Sequence, residues 1–274
     1  AGAPRGALRL TAIDVGQGDA TLLDFPDGSA WLIDAGGVVG SPMDPGALSV
    51  VPLLRQRRRE HLDVVVLSHP HPDHFGGLPA VFSAVSIGEL WDSGQGEAEG
   101  AGPVYAELLK RARARGIPVR RPAELCGRPR LVGGVRVELV APCPAFVPGR
   151  DANDNSMVLR VRFGERTALL TGDAEALEES DLVSRYGDTL RADFLKIGHH
   201  GSRTSTGEAL LDAVRPSVAT LSCGVRNRFG HPHTPVVERL NNRGVSALRL
   251  DRSGGVIWAT DGRQVLVTTA TIPH

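Results

Sequence analysis

The segment that most constrains this chain is residues 69–74, with the sequence HPHPDH, which lies between an apolar run at 64–68 and the sequence FGGL at 75–78. Three imidazoles and one carboxylate within six residues would each need a polar partner if they were packed into a core. The two prolines favour an extended backbone, which turns the first two histidines one way and the aspartate and last histidine another. This spacing at the mouth of a buried strand predicts ligands for two adjacent metal ions.

The length and charge of the chain restrict its class. It has 274 residues, of which 41% are hydrophobic, enough for a soluble globular protein with a sizeable core. Its formal net charge is zero, so nucleic-acid binding would depend on a local basic patch. The sequence contains no run of about 18 apolar residues, so it predicts no membrane-spanning helix. Because the chain starts with neither an initiator methionine nor a signal sequence, we expect a trimmed or excised domain.

Arginine supplies nearly all of the positive charge, because only Lys110 and Lys196 among 31 basic residues are lysine. The densest basic region comprises Arg111, Arg113, Arg115, Arg120, Arg121, Arg128 and Arg130. Two interpretations of this region stay open. It is either a patch that follows the phosphates of a nucleic acid or a solvated helix face.

The three cysteines, Cys126, Cys143 and Cys223, lack the spacing of a zinc finger. The metal ligands therefore have to come from other residues. Cys126 and Cys143 flank a predicted hairpin and could form a disulfide in an oxidising compartment. Their separation in space does not follow from the sequence, so this pairing stays open.

Further polar residues stand where predicted strands end. Asp173 follows the sequence LLTG, and His199 and His200 end another short strand, with a glycine on either side of the pair. Hydrolytic two-metal sites gather their ligands from several loops on one rim. We therefore expect these residues to join the 69–74 segment.

Two turns carry further information. Glycines on both sides of Gln17 predict either a turn that lets the backbone approach an anion or ion closely, or an ordinary hairpin turn. Ser205 and Glu208 have the spacing of a capping box for the helix that follows.

Six short motifs stand out when the chain is taken as a whole. They are DVGQGDA at 14–20, HPHPDH at 69–74, NDNS at 153–156, LTGD at 170–173, LKIGHHGS at 195–202 and GHPH at 230–233. Together they resemble the metallo-β-lactamase-like domain of ComEC-type DNA-uptake (competence) proteins, over residues 8–269. The resemblance implies an α/β fold, the αββα sandwich of two mixed sheets flanked by helices, with the metal ions at one edge. It implies one domain over residues 8–270, with flexible ends at 1–7 and 271–274.

The resemblance divides the motif residues between two metal ions. The first two histidines of HPHPDH would bind one ion, its aspartate and last histidine the other, and the aspartate of LTGD would bridge both. The first histidine of HHGS would complete the second site, with the next histidine and the first histidine of GHPH as competitors. The expected ligands are therefore His69, His71, Asp73, His74, Asp173 and His199, with His200 and His231 as the competitors for the last place.

A missing imidazole bears on the choice of metal. The superfamily usually supplies a further histidine to the first ion in the stretch where this chain has Asn153, Asp154 and Asn155. An oxygen-richer site favours manganese, with zinc or magnesium as the other candidates. We expect two divalent ions as cofactors.

The implied reaction is an in-line attack by metal-activated hydroxide on a phosphodiester, with both ions stabilising the developing charge. The expected catalytic residues are Asp73, His200, Lys196 and His231, of which the last three would protonate or neutralise the leaving oxygen. The expected substrate-binding residues are Ser202, His233, Asn155, Gln17 and Asp19.

The function implied by the resemblance is that of a deoxyribonuclease, which degrades the non-transported DNA strand during natural transformation. DNA is then the expected partner. The chain would be a soluble domain that is covalently part of a larger membrane channel protein. It would lie outside the cytoplasm, in the periplasm or at the outer face of the cytoplasmic membrane.

Two alternatives stay open at this point. The first is a metallohydrolase of a small ester, lactone or β-lactam, because the same fold hosts all of these activities. The second is a non-catalytic DNA-binding domain with a degraded metal site. The native metal, the strand polarity, exonuclease or endonuclease action and the oligomeric state do not follow from the sequence.

Overall fold

Two mixed β-sheets packed face to face form the centre of the computed structural model, which describes residues 5–37 and 43–270. The flexible ends expected at 1–7 and 271–274 lie outside the described residues, except for residues 5–7, which lead into the first strand. No helix in the described ranges is long and apolar enough to cross a membrane.

The strands, in chain order, are β1 (Leu8–Ala12), β2 (Thr21–Asp24), β3 (Ala30–Ile33), β4 (His61–Leu67), β5 (Ser86–Asp92), β6 (Val119–Arg120), β7 (Arg130–Val132), β8 (Val135–Ala141), β9 (Val158–Phe163), β10 (Arg166–Leu170), β11 (Phe194–Lys196), β12 (Val218–Leu221), β13 (Ser246–Arg249), β14 (Val256–Thr260) and β15 (Val265–Thr269). The first sheet has the order β15-β14-β1-β2-β3-β4-β5-β6, and the second has the order β13-β12-β11-β10-β9-β8-β7. Each sheet contains both parallel and antiparallel neighbours, as expected.

The helices are α1 (Val51–Gln56), α2 (Pro72–Phe75), α3 (Leu78–Ala84), α4 (Pro103–Ala114), α5 (Pro122–Leu125), α6 (Ala176–Tyr186), α7 (Glu208–Val214), α8 (Thr234–Asn242) and α9 (Leu250–Ser253). Shorter helical turns cover Gly46–Val50, Gly96–Gly100, Asn153–Asn155, Gly187–Leu190 and Gly198–Gly201. The capping box expected at Ser205 is wrong. The Ser205 hydroxyl donates to the carbonyl of Gly198, and Gly207 is the residue that precedes α7.

Three large apolar cores of described residues separate the layers. The core between the sheets contains Trp31 and Trp91 from the first sheet and Leu159 and Phe194 from the second. A second core lies beneath α3 and α4 on the outside of the first sheet. A third lies beneath α6, α7 and α8 on the outside of the second sheet. This layering confirms the αββα sandwich, which follows because each sheet has to bury both of its apolar faces.

Cys126 and Cys143, whose pairing the sequence left open, form a disulfide with a Cα–Cα distance of 5.7 Å. It joins the end of α5 to the segment that follows β8. Cys223 is a buried free thiol.

Candidate metal centre

Four buried side chains come together where strand ends of the two sheets meet. Asp19, His74, Asp173 and His200 each offer one ligand atom, and these atoms lie within 4.8 Å of one another. They come from the turn between β1 and β2, from α2, and from the segments after β10 and β11. We call these four residues the metal cluster. Two imidazoles and two carboxylates form a donor set that suits divalent ions.

Asp173 is the residue that connects the cluster. Its Oδ2 atom lies 3.2 Å from Nε2 of His74 and 3.3 Å from Nε2 of His200. Nε2 of His200 also lies 3.2 Å from Oδ2 of Asp73, so the aspartate of HPHPDH borders the cluster. Burial would raise the pKa of Asp173, but His200 and His74 outweigh burial and hold this pKa well below its ordinary value. Asp173 is therefore ionised, as a metal ligand has to be.

A buried ammonium group contacts the same carboxylates. Nζ of Lys196 forms an ion pair with Asp19, lies 3.4 Å from Oδ1 of Asp173 and donates to the carbonyl of Gly172 at 2.6 Å. Burial would lower the pKa of Lys196, but Asp19 and Asp173 outweigh burial and raise it. Asp19, expected at the substrate, thus lies in the metal cluster, and Lys196 neutralises part of the charge of its carboxylates.

Sequence reasoning missed Asp34, which orients His74. Oδ2 of Asp34 lies 2.8 Å from Nδ1 of His74, and the same carboxylate accepts hydrogen bonds from the backbone N–H and the hydroxyl of Ser68. A carboxylate on one ring nitrogen fixes the tautomer and directs the other nitrogen to the metal. The available signal was an aspartate directly after the buried strand β3.

The atom that Asp34 directs into the cluster is itself unsatisfied. Nε2 of His74 is buried and faces Oδ2 of Asp173 at 3.2 Å, but the two atoms do not form a hydrogen bond of acceptable geometry. An orphaned buried polar atom costs about 1–3 kcal/mol, which ligation of a cation would remove. On this observation the metal cluster fits a divalent ion.

His69 and His71, the expected ligands of the first ion, lie beside the cluster. Nε2 of His69 lies 3.0 Å from Nδ1 of His71 and 3.9 Å from Oδ2 of Asp173. Burial and the neighbouring His74 hold the pKa of His69 well below its ordinary value, so its imidazole is neutral and able to bind metal. Their role as ligands of a separate ion stays a prediction.

His199 does not reach the metal cluster. Its Nδ1 atom contacts the Glu175 carboxylate and lies 3.3 Å from Nδ2 of Asn153. The metal cluster contains His200, which the sequence offered as a competitor for the last ligand position, and the role of His199 as the closing ligand stays a prediction. Both histidines have a positive φ, 43° and 54°, which gives the backbone a tight turn between Gly198 and Gly201.

His231 lies next to this turn. Its ring centroid is 5.6 Å from that of His199 and 6.2 Å from that of His200. Burial and the nearby His200 lower the pKa of His231 to about 4, so that its ring is neutral at neutral pH. His233 stands at the start of α8, where its Nδ1 accepts a hydrogen bond from the backbone N–H of Arg203.

The remaining residues expected at the substrate make contacts within the protein. The Ser202 hydroxyl shares a hydrogen bond with Thr204, and Oε1 of Gln17 accepts one from the backbone N–H of Gly224. The Asn155 side chain is fully buried and holds the segment at 147–150 by hydrogen bonds to its backbone. The structure does not bring Asn155 to the cluster. Its substrate role, like those of Ser202 and Gln17, stays a prediction.

The dense arginine region is paired internally. Arg113 and Arg121 form ion pairs with Glu97, Arg120 with Glu124 and Arg130 with Glu89. Arg111 and Arg115 donate to backbone carbonyls of α3. Because four of these seven arginines pair with carboxylates and two more donate to backbone carbonyls, the geometry favours the interpretation as a helix face over that as a phosphate patch.

Comparison with known proteins gives the following similarities. Residues 13–225 match the family model described as "Metallo-beta-lactamase superfamily". The chain is 29% identical to "ComE operon protein 3" of Bacillus subtilis over 92% of this chain and 33% of that protein. It is 32% identical to "Competence protein ComA" of Neisseria gonorrhoeae over 92% of this chain and 32% of that protein. It therefore spans about a third of the length of these relatives.

Solved structures agree with the fold. The metallo-beta-lactamase fold protein YhfI from Bacillus subtilis has a TM-score of 0.57 at 14% identity, over 92% of this chain and all of that one. A diphosphatase of the PhnP family has a TM-score of 0.53 at 14% identity, over 96% of this chain and all of that one. Together with the curated relatives, these matches confirm the resemblance to ComEC-type competence proteins and the sandwich it implies.

Proposed function

We propose, from the premise that this chain belongs to the metallo-β-lactamase superfamily, that it is a metal-dependent phosphodiesterase that hydrolyses DNA. The observation that carries this proposal is the convergence of Asp19, His74, Asp173 and His200 within 4.8 Å. The names of its relatives refer to competence and, for one protein of Haemophilus influenzae, to recombination. Both processes handle DNA, which supports a nuclease over a lactamase.

The cluster would hold one divalent ion, and His69 with His71 and Asp173 would hold a second, with manganese favoured. When bound, such ions polarise phosphate oxygens and lower the pKa of water. Lys196 balances the charge of Asp19 and Asp173 and so stabilises the ionised ligands. His231 is neutral and keeps one N–H group, which would donate a hydrogen bond to the leaving oxygen.

In the cell this domain would degrade the non-transported strand during natural transformation, as part of a larger membrane channel protein. The chain covers only about a third of the length of its relatives, which supports the proposal that it is one domain of a larger protein. The disulfide between Cys126 and Cys143 supports a place outside the cytoplasm, because such bonds persist in oxidising compartments.

The test uses protein from which metal has been removed with a chelator. Its activity is measured with and without added manganese on four substrates: end-labelled single-stranded DNA, end-labelled double-stranded DNA, nitrocefin and a lactone. We expect cleavage of DNA that depends on manganese, and no hydrolysis of nitrocefin or the lactone. Cleavage of nitrocefin or the lactone with inert DNA would replace the proposal by a small-ester hydrolase. Retention of DNA on filters without cleavage of any substrate would replace it by a binding domain.

A further inference from the structure

A second concentration of arginine lies on the outer face of the second sheet. It lines a groove of about 650 Å³, which we call the arginine groove. The groove is lined by the arginines Arg136, Arg160, Arg162, Arg166, Arg191 and Arg215. Three acidic residues, Glu138, Glu165 and Asp193, also line it, so that the positive charges outnumber the negative ones two to one.

The arginine groove lies away from the metal cluster. Arg166, Asp193 and Ser217 stand at the beginnings of the neighbouring strands β10, β11 and β12. Asp173 and His200 follow the opposite ends of β10 and β11. A strand of five residues is roughly 15–20 Å long, so one molecule that contacts both places must extend across this distance.

Half of these six arginines pair with carboxylates, Arg160 with Glu138, Arg166 with Asp193 and Arg215 with Asp188. The other three have no carboxylate within hydrogen-bonding distance among the described residues. Arg136 and Arg162 are directly opposite each other in the register of β8 and β9, an arrangement of like charges that destabilises a sheet. Arg136 lies 3.8 Å from Glu138, whose carboxylate is bound by Arg160 at 2.8 Å. Arg162 donates to the carbonyl of Gly164. The exposed Arg191 side chain has no ion pair within the described ranges.

The contrast with the region from Arg111 to Arg130 is informative. There, Glu89, Glu97 and Glu124 pair with four of the seven arginines, and Arg130 of β7 lies opposite Val137 rather than opposite another arginine. In the groove the repulsion between Arg136 and Arg162 remains. A bound polyanion would relieve it, because a planar guanidinium matches a phosphate with two parallel hydrogen bonds.

We propose that the arginine groove binds the phosphate backbone of a nucleic-acid strand at a distance from the metal cluster. This inference rests on the proposed function in one respect, that DNA is the substrate of the same domain. Ala192 is the one apolar residue among the described residues that line the groove, whereas Thr167, Thr189 and Ser217 supply hydroxyls. This composition favours phosphate and sugar over a membrane surface, which is bound by apolar side chains together with basic ones.

The test is the affinity of the 274-residue chain for a fluorescein-labelled 30-nucleotide single strand in chelator, measured by fluorescence anisotropy at several salt concentrations. The test variant replaces Arg136, Arg162 and Arg191 by Gln. We expect its Kd to rise at least tenfold and its salt slope to fall by about 2, since each lost phosphate contact removes about 0.7 for a single strand. Replacing the same three residues by Lys should restore most of the affinity.

The matched control replaces Arg111, Arg113 and Arg115 by Gln and should keep the native Kd within twofold. An unchanged Kd in the groove variant, or equal losses in both variants, overturns the inference. The inference is also overturned if the groove variant binds DNA with the native Kd but no longer binds phosphatidylglycerol vesicles, because the groove would then bind a membrane surface. Groove-dependent binding in a protein that cleaves no phosphodiester with manganese would remove the proposed function and leave this inference standing.

Discussion

Nε2 of His74 lies 3.2 Å from Oδ2 of Asp173, although the two residues follow strands of different sheets. This contact joins the two halves of the sandwich at the metal cluster. Each residue is buried and each has a further partner that fixes it, Asp34 for His74 and Lys196 for Asp173. The donor geometry is therefore already set by the protein, which reduces the reorganisation that ion binding requires.

Asp34→Asn should weaken divalent metal binding about 10- to 100-fold, because the carboxylate that orients the His74 ring is lost. Isothermal titration with manganese measures the change. Asp63→Asn is the matched control, since Asp63 accepts a backbone hydrogen bond from Ala30 in the same sheet and contacts no ligand. Equal affinities of Asp34→Asn and native protein would show that His74 needs no carboxylate partner.

Manganese should give a higher rate of hydrolysis than zinc, because Asn153 stands where an imidazole is expected. Asn153→His should tighten zinc binding, because it would restore an imidazole in the stretch where the superfamily usually supplies one. Metal content by mass spectrometry and rates with each ion test both statements, with the exposed Asn241→His as control. Two tightly held zinc ions in the native protein, without stimulation by manganese, would refute this preference.

Glu179 should make stability depend on pH. It caps the backbone N–H groups of Thr206 and Gly207, and burial raises its pKa from 4.5 to about 7. Between these values the folded state holds a proton that the unfolded state has released, so stability falls as the pH rises from 4.5 to 7.

The size of this effect is about 3.5 kcal/mol at most, from about 1.4 kcal/mol for each pKa unit. Urea unfolding at pH 5 and pH 8 measures it against Glu179→Gln, which carries no titrating group. We expect the variant to gain stability relative to the native protein between these pH values. If the difference in stability between the variant and the native protein is the same at both pH values, the pKa of Glu179 is not raised.

The disulfide should stabilise the fold by about 3 kcal/mol, because its cysteines are 17 residues apart and closing such a loop lowers the entropy of the unfolded chain. Urea unfolding of a variant with Ser at both Cys126 and Cys143 measures this contribution. The native protein under reducing conditions should match the variant. Identical unfolding of oxidised and reduced protein would show that the bond adds no stability.

Local patterns were sufficient for those features that depend on a few consecutive residues. The HPHPDH spacing after β4 and the aspartate after β10 predicted that His74 and Asp173 would lie together, and the structure brings them together. The sandwich was implied by the family resemblance, which motifs spread over the whole chain carry. His74 and Asp173 share one property: each lies shortly after the end of a buried strand, which positions it.

Contacts between distant segments explain what the sequence did not predict. Asp34 reaches His74 because β3 and β4 are parallel neighbours, and this pairing is not visible in either segment alone. The position of His200 in the metal cluster, with His199 beside Glu175, depends on two consecutive residues with positive φ. The compensated charges near Arg113 depend on Glu97, 16 residues earlier in the chain.

The central claim is that the metal cluster hydrolyses phosphodiesters in DNA. The most direct measurement is the initial rate of DNA cleavage as manganese is added to metal-free protein, for the native chain and for Asp173→Asn. We predict saturable activation of the native chain and a rate at least about 10³-fold lower for Asp173→Asn, with the circular dichroism spectrum retained. Asp181→Asn, on the exposed side of α6, should cleave at the native rate. Equal cleavage by the native chain and Asp173→Asn would contradict the claim.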